Sequence, residues 1–261
     1  MCMFFAQNER IPNGWSDAGA RKSGAARCLF ISVCRYDTIP TNMDKKYCIL
    51  DMDGTVVDSM PYWNSLSPDY LAARGIPRTD ETDQIMATIK TMTMPEACAF
   101  LKDKFGLPET VEDLRRDLSG VMRRHYAEDI PLKKGVREYL NALHAEGTQL
   151  CILTATAPPL VRICLDRLGV RSLFSLIMSC EEVGCGKDYP EPFLEAARRM
   201  GANPAEIAVF EDSATALRTA KQAGFYTVAV FDPLTEDWDE CVRAADEVIL
   251  DWTQEEASLA R

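Results

Sequence analysis

The chain has 261 residues, 47% hydrophobic and 26% charged, and can bury a sizeable core without disulfides or a structural metal. Its net charge of −11 is uneven: residues 1–42 carry five Lys/Arg and three Asp/Glu, leaving 24 and 37 for residues 43–261. So acidic a body repels phosphate backbones and anionic lipid, and no apolar run approaches the ~18 residues of a membrane-spanning helix. Nucleic acid and membrane are therefore not expected partners.

Residues 1–42 mix Gly, Asn, Ser, Asp and Arg around one apolar stretch, Cys28 to Cys34. A secretory signal would open on basic residues and close on a small-residue cleavage site, and neither is present. The segment reads as a disordered extension, with Met43 as an alternative start; a chain beginning there should fold and turn over like the longer one. From Tyr47 onward the pattern sharpens. A first strand is expected over Tyr47–Leu50. Between it and the next strand lie about 95 residues, where a crossover helix needs only about a dozen. That stretch is helical in period throughout, over Tyr62–Ala73, Asp83–Ile89, Pro95–Phe105 and Val111–Tyr126. It reads as a small helical domain, residues 60–132, inserted into the first crossover of a core made of 43–59 and 133–261. Strands and helices then alternate. The strands are expected over Gln149–Leu153, Leu173–Met178, Ile207–Phe210, Tyr226–Val230 and Glu247–Leu250. The helices are expected over Val136–Glu146, Leu160–Leu168, Pro192–Met200, Ala214–Ala223 and Asp237–Ala245. Glycines at 147, 169, 201 and 224 signal helix stops. The alternation predicts an α/β fold: a Rossmann-like parallel sheet with helices on both faces.

Chemistry-bearing residues fall where strands should end, the place where open α/β sheets bind ligands. Asp51-Met52-Asp53-Gly54-Thr55 follows the first strand; two carboxylates there are costly unless a cation with hard oxygen ligands compensates them. A solvated turn explains such a pair about as well when it stands alone. Thr154 closes the second strand, where a hydroxyl and the following N–H can hold a phosphate oxygen, although a strand-terminal Thr is more often a helix cap. Lys187 lies among glycines before a Pro-started helix, and taken alone it reads as a solvated loop lysine. Glu211-Asp212 follows the fourth strand, where one acidic residue could simply complement a helix dipole. No Gly-x-Gly-x-x-Gly follows a strand, the P-loop pattern fails at Glu181 and Asp188, and no nucleophile elbow has a His partner. The ten cysteines form no Cys-x-x-Cys, and with only His125 and His144 there is no zinc-type cluster. Cys48 and Cys151 sit within apolar runs, which suits reduced thiols and a cytoplasmic location.

Taken together and in this order, Asp51–Ser59, Leu153–Thr156, Gly186–Phe193 and Phe210–Phe225 resemble the haloacid dehalogenase superfamily of aspartate-nucleophile phosphotransferases, over about residues 45–250. Asp188-Tyr189 departs slightly from the family's shorter path to Pro190. The resemblance is to the branch with a helical cap between the first two motifs, the branch of β-phosphoglucomutase, and the short span from Thr154 to Lys187 leaves no room for the alternative cap. It implies a monomeric, Mg2+-dependent phosphatase that hydrolyses a small phosphorylated metabolite through an aspartyl-phosphate. Asp51 would be the nucleophile and Asp53 the general acid and base. Mg2+ would be held by Asp51, the Asp53 main-chain carbonyl, Asp212 and Glu211, and the phosphate by Thr154, the Ala155 N–H and Lys187. The alternative is a phosphosugar mutase. Such mutases are expected to carry a His and a cap Arg where this chain has Trp63 and about Met94, and Lys90 is the only basic residue in the stretches 59–64 and 90–95. A non-catalytic module is disfavoured because every catalytic position is filled, and dehalogenation because Asp53 is intact. Trp63, Met92 and Met94, with Met60 and Tyr62, are candidate substrate-specificity residues and suggest an apolar or stackable leaving group; packing of the cap helices explains them equally well.

Overall fold

A computed structural model describes residues 45–89, 92 and 94–253; the expected extension 1–42 and Lys90 lie outside the described residues. Six strands form one parallel sheet in the order β3-β2-β1-β4-β5-β6, with β1 (Tyr47–Leu50) at its centre between β2 (Gln149–Thr154) and β4 (Ile207–Glu211). The others are β3 (Phe174–Ser179), β5 (Tyr226–Val230) and β6 (Glu247–Ile249). Leu50, the last residue of β1, pairs with both Ile152 and Phe210, so the ends of β2 and β4, at Thr154 and Glu211, lie close beside it.

The strands divide their side chains by the two-residue period of the pleat. Cys48, Leu50, Leu150, Ile152, Ala208 and Phe210 bury against one face, with α5 (Val136–Ala145) and α6 (Pro158–Leu168). Ile49, Cys151, Leu153, Ile207 and Val209 bury against the other, with α7 (Glu191–Met200) and α8 (Ala214–Gln222). With both faces covered, the runs read as continuously apolar, and a slip of one residue would invert every side chain. The last helix, α9 (Trp238–Ala244), packs on α8. All four glycines expected to stop helices have positive φ. No helix among the described residues is long and apolar enough to cross a membrane.

Between β1 and α5 lie four further helices: α1 (Met60–Ala72), α2 (Asp80–Ile89), α3 (Met94–Phe105) and α4 (Val111–Glu128). The first starts two residues earlier than its period suggests, because Pro61 near its N-terminus lacks the N–H that would go unsatisfied there. In α4, the Thr110 hydroxyl accepts from the Asp113 N–H at 3.1 Å as an N-cap. The buried stripe of α4, Leu114, Leu118, Met122 and Tyr126, repeats every four residues and so lies on one face. Beyond it, the α6 guanidinium of Arg167 donates to the carbonyls of Tyr126, at 2.9 Å, and Ile130. The two chain segments entering and leaving the insertion are tied by Asp58 N–H to Pro131 O and Lys133 N–H to Val56 O, both 3.0 Å.

Candidate active site

The neighbouring strand ends bring separate pieces of sequence to one place. Asp51 leaves β1 with its N–H on the Phe210 carbonyl at 3.0 Å, which anchors it beside the end of β4. Glu211 is the last residue of β4, one position inside the strand rather than after it, and Asp212 follows. One carboxylate oxygen from each of Asp51, Glu211 and Asp212 lies within 4.8 Å of the others. Lys187, on the loop before α7, donates to Asp51 and, at 2.5 Å, to Glu211. The Asp51 and Glu211 side chains are almost wholly buried.

The electrostatics of this cluster are lopsided. Burial holds the Asp51 carboxyl well above the usual carboxylate range; Lys187 pulls it back, and Glu211, Asp212 and Asp53 push it further up. Burial, then the Glu211 charge, pushes Asp212 up to about 7. Burial works against the Lys187 ammonium, yet the Asp51 and Glu211 carboxylates outweigh it and raise its pKa. Lys187 thus stands against three crowded carboxylates, with Lys133, itself paired to Asp232, also drawing Asp212 down, and the cluster is short of positive charge. A compact set of carboxylate oxygens fits a hard divalent cation such as Mg2+. Gly54 supports the same fit. Its φ is +82°, and a Cβ there would run into the Asp212 carboxylate, so only glycine lets the turn approach this closely.

Asp53 is turned elsewhere. Its Oδ1 accepts from the Ser59 hydroxyl at 2.7 Å and the Tyr126 hydroxyl at 2.5 Å, and its Oδ2 accepts from the Thr156 hydroxyl at 2.7 Å. Trp63 Nε1 donates to the Tyr126 oxygen at 3.1 Å. Burial, then the Asp53 charge, raises the Tyr126 pKa well above the ordinary phenol, so Tyr126 stays a donor. Thr154 accepts from the Thr156 N–H at 3.0 Å. Ser59, Tyr126 and Thr156 escaped the sequence reading. Thr156 and Ser59 lie within motifs already singled out; Tyr126 was available only as the last member of an apolar stripe, a tyrosine whose buried hydroxyl needs a partner.

The structure brings Asp51, Asp53, Thr154, Ala155, Lys187, Glu211 and Asp212 together in the lining of one cavity of about 270 Å³. The three candidate specificity residues, Trp63, Met92 and Met94, line a second cavity of about 490 Å³ between the inserted helices and the loop after β5. Met60 borders both.

Residues 45–224 match the haloacid dehalogenase-like hydrolase family. The phosphoglycolate phosphatase of Salmonella paratyphi A is 30% identical over 199 residues, which span 69% of this chain and 79% of that protein. The N-acetylmuramic acid 6-phosphate phosphatase of Pseudomonas aeruginosa is 26% identical over 217 residues, 82% of this chain and 93% of that one. The fold is similar to the crystal structure of CbbY from Rhodobacter sphaeroides in complex with phosphate, at a TM-score of 0.66 and 21% identity, over 83% of this chain and 96% of that one.

Proposed function

The chain belongs to the haloacid dehalogenase-like hydrolases, and from that membership we propose that it is an Mg2+-dependent phosphomonoesterase acting on a small phosphorylated metabolite through a covalent intermediate on Asp51. The observation that carries this reading is the separation of two carboxylates only two residues apart. Asp51 sits among charges beside Lys187; Asp53 sits among the hydroxyls of Ser59, Tyr126 and Thr156. That division suits a nucleophile and an acid–base group.

Asp51 attacks phosphorus and the bond to the leaving oxygen breaks, with Asp53 delivering the proton that the departing alkoxide needs. Water then attacks the aspartyl-phosphate, Asp53 takes its proton back, and Asp51 is released with inorganic phosphate. The three hydroxyl donors hold the Asp53 carboxyl group in one orientation for both halves of the reaction. Lys187, Thr154 and the Ala155 N–H meet the phosphoryl oxygens where charge gathers. Mg2+, held by Asp51, the Asp53 main-chain carbonyl, Asp212 and Glu211, would neutralise the carboxylates and the phosphoryl group together. The helices of residues 60–132 serve as a cap over the core formed by 43–59 and 133–261, closing on substrate and excluding water. The named activities of the two phosphatase relatives support this reaction class. The mutase alternative calls for a second cation in the cap, and none of the described residues lining the cap-side cavity is Lys or Arg.

Phosphate release from p-nitrophenyl phosphate tests the reading. EDTA should abolish it and Mg2+ restore it; metal-independent turnover would overturn the site as drawn.

A further inference from the structure

The cavity beside the phosphate site carries chemistry of its own. Its wall is built from Met60, Met86, Met92, Met94, Trp63 and Leu118, with Leu234 reaching over from the core. The polar groups on it are those of Asn64, Ser67 and the exposed Glu236, and among its described lining residues none is Lys, Arg or His. At about 490 Å³ it falls inside the ~300–1,000 Å³ range of small-molecule pockets.

Its position identifies which half of a substrate would enter it. The Asp53 carboxyl group that delivers a proton to the leaving oxygen must face the leaving group. It is joined to the cavity wall by two hydrogen bonds, Tyr126 to Asp53 at 2.5 Å and Trp63 to Tyr126 at 3.1 Å. The Trp63 indole is itself part of that wall, and Met60 borders both cavities. The side of Asp53 away from the acidic cluster is therefore joined, through Tyr126 and Trp63, to a methionine-rich space whose described lining carries one acidic side chain, Glu236, and no cation. Such a lining penalises a carboxylate or a second phosphate, which would be desolvated without a cation, and offers too few donors and acceptors for a hydroxylated sugar. Unbranched thioethers also adapt to differently shaped apolar groups, flat or flexible.

We propose, resting on the phosphomonoesterase reading, that the preferred substrates are monophosphate esters of apolar alcohols, alkyl or arylalkyl, with the hydrocarbon seated in this methionine-lined cavity. The contribution lies in binding and grows with the apolar area buried.

The test is a homologous series of n-alkyl monophosphates from ethyl to octyl, with 2-phenylethyl phosphate, phosphoglycolate and glucose 6-phosphate alongside, turned over by the full chain with Mg2+. The expected result is a kcat/KM rising about fourfold per methylene until the cavity is filled, the value corresponding to ~0.8 kcal/mol per buried CH2. 2-Phenylethyl phosphate should exceed phosphoglycolate and glucose 6-phosphate by about tenfold or more, the discrimination of a pocket that leaves a polar group unpaired. In Met92→Lys, which places a charge in the wall, the alkyl slope should flatten and the gap to phosphoglycolate narrow; an unchanged slope would overturn the assignment. If phosphate is released but the wild-type series is flat, or phosphoglycolate or the hexose phosphate is preferred, the apolar assignment is overturned and the phosphomonoesterase reading stands. If no ester, p-nitrophenyl phosphate included, releases phosphate with Mg2+ present, both fall.

Discussion

Asp51 and Asp53 differ by two positions and by everything around them. The first is buried among carboxylates and held by Lys187; the second accepts three hydroxyl hydrogen bonds. Asp51→Asn should leave no turnover, because no nucleophile remains, whereas Asp53→Asn should slow it by ~10²–10⁴, the usual contribution of an acid–base group. Steady-state assays of the two variants check the roles, and near-normal rates in Asp51→Asn would refute the covalent step. Tyr126→Phe removes one donor from Asp53 and leaves the Trp63 N–H without its partner. Its kcat should fall about tenfold or more, because the Asp53 carboxyl group loses one of the three donors that fix its position. The loss should be greater for alkyl phosphates than for p-nitrophenyl phosphate, whose leaving group needs little protonation; an equal loss on both would argue against a hold on the acid.

Among the elements, α4 connects packing to chemistry. Its four-residue stripe ends in Tyr126, and Arg167 of α6 binds the Tyr126 carbonyl, so the insertion is pinned to the core at the residue that reaches Asp53. Arg167→Ala should destabilise the fold by ~1.5–3 kcal/mol, the cost of losing charge-assisted bonds to carbonyls in a part-buried place. Urea denaturation measures it. The same variant should lower kcat, because Tyr126 loses its fixed position; an unchanged kcat in a destabilised protein would separate the two effects and detach Arg167 from catalysis.

For the molecule as a whole, crowding Asp51, Glu211 and Asp212 around Lys187 costs stability that a bound cation would return. Mg2+ should therefore raise the melting temperature, by the equivalent of ~2.7 kcal/mol at a hundredfold excess over its Kd. Asp212→Asn relieves part of the repulsion and removes a ligand, so its metal-free form should melt no lower than the wild type and respond less to Mg2+. Differential scanning fluorimetry with and without EDTA reads both, and a full Mg2+ response in Asp212→Asn would remove Asp212 from the site.

Much of this was legible in the chain because it is local. Apolar runs bounded by Gly and Pro place the strands, a helix-period stretch too long for a crossover marks the helices α1 to α4, and Asp51, Thr154, Lys187 and Glu211-Asp212 each end or follow a strand. A parallel sheet then brings its strand ends to one edge without further information. Other features depended on side chains that are far apart in sequence. Tyr126 reaches Asp53 across 73 positions and Thr156 across 103, distances over which periodicity carries no signal. Nor does a one-dimensional pattern tell packing methionines from methionines that line a space: Met86 reads as one more apolar position of its helix. Only the three-dimensional arrangement decided that Met60, Trp63, Met92 and Met94 border a cavity beside the one that Asp51 and Asp53 line, because a void exists only where several elements fail to fill the space between them.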